Sequence, residues 1–537
     1  MSLRNRIILP IALSIALSAL AALAGCGNAS SIVNPTPPPS GSFSASNLNG
    51  TYVFSVSGVD ANGAPYAAAG TITANGTGGI TGGAIDMNDV EFSAPVPNLA
   101  VGSNSTYKVS VDGRGEATLN VTTPLGSSIV LDFVLQDSSH GLVTEFDNTA
   151  TGSGTLDAQT ASVSPAGSYA FSMFGASYSS GSSFVTVGNF TVGSGGTFTG
   201  LEDSNSGGLA YPDEALTGQV VLGPSSAPST TLTTGPFGTL TFDAFAIDAT
   251  HLKLIEMDTF ATFNGDAYSQ SSTTIPTGAL AFTLAGGISA PVAAGGFMVT
   301  DGAGNITSAS TEDVNDAGNI STAPVSFSGQ YASASGETGR YTLTNLAGFV
   351  GGTEYAAYPS SGGVLLLEID DSGLMSGAAY TQTAPSTFST SAGYGLNLSG
   401  FNQTDSVEVD DIAEFATSAS GATVTGVIDE NAAGVGPNFG LALSGTYTTP
   451  DSNGRGQIAA NAGTSSNSTL NGGFGITYYT VDGTTFPFIE TDNATGQVAM
   501  GVFVAQNPSA SSSAVAKPHM FVVRPLIRAK SSFKKLK

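Results

Sequence analysis

Residues 50–58 read Gly-Thr-Tyr-Val-Phe-Ser-Val-Ser-Gly, so Tyr52, Phe54 and Val56 occupy every second position ahead of Gly58. Successive residues of extended backbone point to opposite sides, and the period of two places these three side chains on one face of a β-strand. The pattern returns three times, as Tyr169, Phe171, Met173, Gly175; as Leu280, Phe282, Leu284, Gly286; and as Tyr394, Leu396, Leu398, Gly400.

Two further markers keep the same register. About 30 residues after each opening strand comes Asp, any residue, Asn: Asp86 and Asn88, Asp203 and Asn205, Asp313 and Asn315, Asp429 and Asn431. Near the end of each repeat comes Glu, any residue, Asp: Glu145 and Asp147, Glu256 and Asp258, Glu368 and Asp370, Glu490 and Asp492. Three markers in step define four tandem units, at 47–160, 164–276, 277–384 and 387–506. The copies have diverged, and unit two lacks the turn that unit one carries at Gly113 and Arg114.

In unit one, alternation marks strands at Thr51 to Ser57, Ala68 to Ala74, Gly79 to Asp86, Thr106 to Val111, Glu116 to Thr122, Ile129 to Leu135, Leu142 to Phe146 and Gly154 to Ala158. Tight-turn pairs such as Asn75-Gly76 and Asp112-Gly113 separate several of them. Eight short antiparallel strands in a meander of about 115 residues predict an all-β chain of four small eight-stranded barrels, because closure removes exposed strand edges. A β-sandwich per unit is the alternative closure. Short linkers predict units packed end to end or paired.

Composition agrees with this class. Of 537 residues, 70 are Gly, none is Trp and 10% are charged, which describes a turn-rich, strand-rich chain. The 40 carboxylates all lie between Gly27 and Ala516, where the basic residues are Lys108, Arg114, Lys253, Arg340 and Arg455. That body, with a formal charge of −35 by count, repels nucleic acid and favours cations or basic partners.

The first 25 residues read as an export signal: Arg4 and Arg6, then an apolar run from Ile7 to Leu23. The run ends in Leu23-Ala24-Gly25-Cys26, which resembles the lipobox of bacterial lipoproteins. The resemblance implies cleavage before Cys26, lipidation of its thiol and acylation of the new amine by palmitate-class chains, each buried methylene adding about 0.8 kcal/mol of membrane affinity. With its one cysteine lipidated, the chain has no thiol left for a disulfide, catalysis or metal binding. Gly27, in place of an inner-membrane retention aspartate, favours the outer membrane. Residues 26–46, with Pro35, Pro37, Pro38 and Pro39, then read as a lipidated cysteine and an extended spacer. Lipobox and repeats together resemble uncharacterised repeat-containing lipoproteins of bacterial envelopes, and the strand count is similar to that of avidin and lipocalin barrels, whose binding motifs are absent here.

The repeated acidic residues are the candidates for chemistry. Carboxylates at i and i+2 of a strand lie about 6.5–7 Å apart, a separation usable for glycoside hydrolysis. Recurrence in four copies instead predicts a structural role for the Glu and Asp pairs, as solvated or turn-bonded carboxylates at a strand end. The Asp and Asn pairs read as Asx turns, with calcium as the possible ligand of Asp86, Asn88, Asp203, Asn205, Asp313, Asn315, Asp429 and Asn431, above all beside Glu202 and Glu312. His140 and His251 fall at the same position of different units, five residues before the repeated Glu, which predicts a shared loop position and no zinc site. No serine elbow, phosphate loop or dinucleotide fingerprint is found. Tyr478, Tyr479, Phe486 and Phe488 are candidates for a carbohydrate groove, or for core.

Residues 507–537 form a linker, a short apolar run Met520 to Val523 and a basic tail, expected either to dock as a last strand or to bind anionic lipid or cell-wall polymer. The expected function is a non-enzymatic, lipid-anchored binding or structural β-array of the bacterial envelope. Its partners are the membrane and an envelope protein or polysaccharide, without a catalytic site. The alternative is a ligand-binding barrel or a hydrolase with a dispersed site.

Overall fold

A computed structural model of the chain describes residue 36 and residues 38–510, apart from 161–164, 223–227, 235–236, 334–335, 384–386, 464, 466–467, 471–472 and 493–494. The export signal, Cys26, His519 and the basic tail lie outside the described residues.

Each unit is an eight-stranded antiparallel barrel. Barrel one runs through Asn49–Asp60, Pro65–Asn75, Gly79–Asp89, a fourth strand split into Val96–Ala100 and Ser105–Val109, then Arg114–Asn120, Ser128–Leu135, His140–Phe146 and Ala150–Ala158. Closure lies in the first strand, which pairs with the second along one edge (Tyr52 opposite Ile72) and the eighth along the other (Tyr52 opposite Ala158). Barrels two and four close in the same order with an unbroken fourth strand, while barrel three splits its fourth into Asn319–Ile320 and Val325–Ala332. The meander is thus a barrel and not a sandwich, because the first strand is long enough to satisfy both of its edges.

Alternation decides what fills each interior. Tyr52, Phe54 and Val56 point inward in barrel one, Tyr169, Phe171 and Met173 in barrel two, Leu280, Phe282 and Leu284 in barrel three, and Tyr394, Leu396 and Leu398 in barrel four. A residue from the segment before the first strand plugs an end: Phe43 in barrel one, Ile275 in barrel three and Phe388 in barrel four. The Phe388 ring sits 4.9 Å from that of Tyr478 and 5.4 Å from those of Phe486 and Phe503, centroid to centroid. The apolar cavities left inside barrels one, two and three measure about 10, 20 and 20 Å³. That is room for about one water each.

The outward faces of several strands are also buried, because the barrels pack on one another. Val53, Ala67 and Ala69 of barrel one meet Phe245, Ile247 and Ile255 of barrel two. A larger cluster joins barrel two to three and three to four through Val185, Val187, Leu365, Leu367, Phe297, Tyr479 and Ile489. Val134 and Leu142 of barrel one meet Ile412, Val502 and Val504 of barrel four. The same head-to-tail contact, made four times, returns the chain to its start, and the barrels form a closed ring. A repeated heterologous contact gives either a ring or an open array, depending on whether its rotation closes.

Candidate functional site

The chemistry-bearing residues that recur along the sequence converge on the four seams of this ring. Asn88, Asn205, Asn315 and Asn431 stand on the outward face of the third strand of their barrels, and each is buried. Each side-chain amide crosses into the next barrel and donates to backbone carbonyls at the turn between its seventh and eighth strands. Asn88 reaches Glu256 and Ala261 (2.7 and 2.9 Å), Asn205 reaches Glu368 and Gly373 (3.0 and 2.9 Å), and Asn315 reaches Glu490 and Gln497 (3.1 Å each). Asn431 closes the ring, donating to Glu145 and Ala150 of barrel one at 2.9 and 3.0 Å. The second and third sequence markers are therefore plug and socket of one joint. Each carbonyl of the repeated Glu receives the Asn of the preceding barrel.

The Asp two residues earlier meets a cation across three of the four seams. Asp203 holds Arg340 through both oxygens (2.8 and 2.6 Å) and accepts from the Tyr358 hydroxyl at 2.5 Å. Asp313 holds Arg455 (2.8 and 2.7 Å) and accepts from Tyr479 at 2.9 Å. Asp429 accepts from Arg114 at 2.5 Å. Asp86 faces barrel two, where the Arg turn is missing, and its neighbour is Asp243. Burial first, then that second carboxyl, pushes Asp86 up to about 7. Asp86, Asp203 and Asp429 each sit where the strand register shifts, and each accepts the N–H of a residue with positive φ on the fourth strand: Asn98 (φ 54°), Asp213 (φ 57°) and Gly440 (φ 65°). The carboxylate takes the amide that the bulge removes from the ladder.

These contacts revise the expected roles. The Asx-turn reading does not describe the Asp, whose carboxylates take N–H groups 10 to 12 residues on or an arginine across a seam; Asn205 and Asn315 do accept a local N–H, from Gly208 and Gly318, while their amides serve a neighbouring barrel. Of the eight residues considered for calcium, Asp203, Asp313 and Asp429 have both carboxylate oxygens, and Asn88, Asn205 and Asn315 their amide oxygens, engaged by protein partners, and no group of three or more His, Cys, Asp or Glu positioned for a metal occurs among the described residues. The Asp of three Glu and Asp pairs is turn-bonded as expected, with Asp147, Asp258 and Asp370 accepting the N–H of Thr149, Phe260 and Ser372 two residues on, and all four Asp also accept an N–H from 17 residues earlier in the chain, at Val130, Thr241, Thr353 and Gly475. The Glu is not solvated. Glu145, Glu256, Glu368 and Glu490 continue the inward parity of Val143, Leu254, Leu366 and Phe488 and are buried inside their barrels. Burial raises all four carboxyls, Glu368 to about 8. Glu202 and Glu312, which point inward beside the interface Asp, are pushed to about 8 by the same desolvation.

The histidines, placed apart by unit, meet at one seam. Lys253 of barrel two is buried between Asp157 of barrel one (3.3 Å) and Asp266 (3.1 Å). His140 Nδ1 lies 3.0 Å from Asp157, and His251 Nε2 lies 2.6 Å from Asp266. Burial alone would raise both carboxyls, but Lys253 and His251 hold Asp266, and Lys253 with both histidines holds Asp157, below the ordinary carboxylate range. The cluster is closed in by the stacked Tyr268 ring, 4.4 Å from His251. Lys253 also donates to the Thr155 hydroxyl, which in turn donates to Asp157 at 2.9 Å, so the charges and the hydroxyl tie barrels one and two together as an ion-paired joint.

Sequence reading missed one marker outright. The residue after each eighth strand is Gln, at 159, 270, 382 and 506, and each amide donates into the next barrel: to Ala246 (2.7 Å), to Pro359 (2.9 Å), to Thr480 (2.8 Å) and, closing the ring, to Leu135 of barrel one (2.9 Å). Regular spacing was the available signal. The carbohydrate-groove candidates go elsewhere, with Tyr478, Phe486 and Phe488 in the core of barrel four and Tyr479 at the seam with barrel three.

No family model matches the chain, and no curated protein matches it. Among solved structures, a transferrin binding protein B from Haemophilus parasuis aligns at 10% identity over 70% of this chain and 82% of that one, with a TM-score of 0.18. Isotype 1 transferrin binding protein B from serogroup B Neisseria meningitidis aligns at 10% identity over 68% and 83%, with a TM-score of 0.19. Such scores fall below those of chains that share an overall arrangement.

Proposed function

We propose that this chain is an exported, lipid-anchored and non-enzymatic module of the bacterial envelope, in which a stiff ring of four barrels presents its outer loops to an envelope partner. The observation that carries the reading is the use made of the interior and polar groups. Barrels one to three hold cavities of about 10–20 Å³, against the 300–1,000 Å³ typical of ligand sites, and aromatic rings fill barrel four. The recurring Asn, Asp, Arg and Gln side chains are committed to joints. A molecule built this way binds on its outside. Lipid on Cys26 and outer-membrane placement rest on the lipobox and on Gly27.

Two measurements test this. Growth of the bacterium with an alkyne fatty acid should label the native chain and leave Cys26→Ser unlabelled and released from membranes; an unlabelled native chain overturns the anchor. Thermal unfolding should show no rise in midpoint with calcium or fall with chelator, since specific binding to the native state must raise it. A rise with a cell-wall polysaccharide identifies the partner class, and turnover of that glycan overturns the non-enzymatic reading.

A further inference from the structure

The two sets of joints fall on opposite rims of the ring. Strands of a meander alternate in direction, so the turns after the first, third, fifth and seventh strands lie at one end of a barrel, and the other turns lie at the opposite end with the chain ends. Each Asn joint runs from the end of a third strand to the turn after a seventh, and each Gln joint from the end of an eighth strand to the end of a sixth. All four barrels therefore point the same way. Both ends of the described chain leave from the Gln rim, where Gly41 lies against Pro508 and the Asn507 N–H donates to the Gln136 carbonyl at 2.7 Å. Seven large apolar side chains are exposed among the described residues, and five of them stand at the Asn rim: Leu209, Ile288, Val350, Val435 and Phe439. Four of these gather at two opposite seams. Leu209 and Ile288 top the seam of barrels two and three, where Gly208 lies against Ile288 and the Ala210 N–H donates to the Asp371 carboxylate at 3.2 Å. Val435 and Phe439 top the seam of barrels four and one, where Gly434 lies against the Ala61 carbonyl and the Phe439 ring meets that of Phe146 edge-on at 4.6 Å. Leu209 and Val435 occupy the same position of the repeat, four residues after the joint Asn.

We propose that the Asn rim is the docking surface for a protein with a basic face, whose apolar side chains seat on the knobs at these two seams. This rests on the reading of a ring that binds on its outside, and deepens it. Charge selects the occupant. The exposed carboxylates of Glu91, Asp316, Asp371 and Asp405 stand in or beside the turns of this rim. Of the five cations of the body, Arg114, Lys253, Arg340 and Arg455 are paired inside the seams. Lys108, the exposed one among the described residues, lies one residue from the Gln-rim end of its strand, Ser105–Val109. A partner bearing Lys and Arg around an apolar centre is attracted all round the Asn rim, whereas a second copy of this ring would set carboxylates against carboxylates. Exposed apolar groups rimmed by polar ones are the make-up of a protein contact. Because both chain ends leave from the Gln rim, the lipid-anchored reading turns the Asn rim away from the bilayer.

The test places the photo-crosslinker benzoylphenylalanine, one site at a time, at Leu209 and Val435 on the Asn rim and at Val111 and Val221 on the Gln rim of the full chain, made in its own bacterium. Irradiation should give one discrete protein adduct from Leu209 and from Val435, none from Val111 or Val221, and the adducted protein should be basic. Purified, that protein should bind the native chain. Leu209→Ser combined with Val435→Ser should weaken this binding at least about tenfold with the melting midpoint unchanged, and salt raised toward about 1 M should weaken it as much. No adduct from the Asn rim, equal adducts from both rims, an acidic partner, a second copy of the chain, or unchanged binding by the Ser pair overturns the proposal. Adducts from the Gln rim alone overturn it while leaving the outward-binding reading in place. Glycan turnover, which would end the non-enzymatic reading, is read in a separate assay and leaves these adducts as they are.

Discussion

At the scale of single residues, the joints depend on side chains that donate in one direction. Asn205 gives its two amide hydrogens to the carbonyls of Glu368 and Gly373 and takes the Gly208 N–H on its oxygen. Asn205→Ala strands two buried carbonyls, and urea unfolding should show a loss of about 2–4 kcal/mol. Asn205→Asp should be worse, since a carboxylate cannot donate to either carbonyl. Arg340 and Asp203 are 5% and 0% exposed at their side chains, so removing one partner leaves a desolvated charge. Arg340→Met should cost about 3–5 kcal/mol, and adding Asp203→Asn should restore part of it; strict additivity of the two losses in a double-mutant cycle would refute the pairing.

At the scale of the strand, the inward parity that fills each barrel with apolar side chains also carries carboxyls into it. Glu202, Glu312 and Glu368 have folded-state values near 8, above an unfolded value of about 4.3. For such groups the native state binds the extra proton, so their stabilisation is complete below about pH 4 and is lost as pH rises toward 8. The opposite contribution, from Asp157, Asp266 and Asp370 with lowered values, is lost only as pH falls below the usual carboxylate range. The melting midpoint should therefore fall between about pH 5 and pH 8. Glu312→Gln should flatten that fall, and a midpoint that rises over the same interval would show these carboxyls to be ionised in the folded barrel.

At the scale of the whole molecule, the ring makes each barrel depend on two neighbours. The closing seam is held by Asn431 and Gln506, which reach barrel one from the far end of the chain. With both replaced by Ala, calorimetry should resolve the single transition of the native chain into more than one, because an opened array unfolds from its ends. Small-angle scattering should give the native chain a radius of gyration near the compact value of about 24 Å, and the double variant a larger one. A native radius suited to four beads in a row would rule out the ring.

Some of this was written in the order of residues alone. Period-two alternation at Tyr52, Phe54 and Val56 is a local property of extended backbone, so strands, their inward faces and the fourfold repeat were legible without a partner in view. The lipobox and the basic segment are likewise linear signals. Closure was not: whether eight strands make a barrel or a sandwich depends on the first strand meeting the eighth, some 100 residues away. The joints were hidden for a related reason. Asp86 and Asn88, or His140 and His251, show their spacing within a unit, whereas their contacts are made with another unit, and a contact between repeats has no period inside one. Gln159, Gln270, Gln382 and Gln506 mark the limit: the letters recur at the unit boundary, but only the folded ring shows the carbonyls they serve.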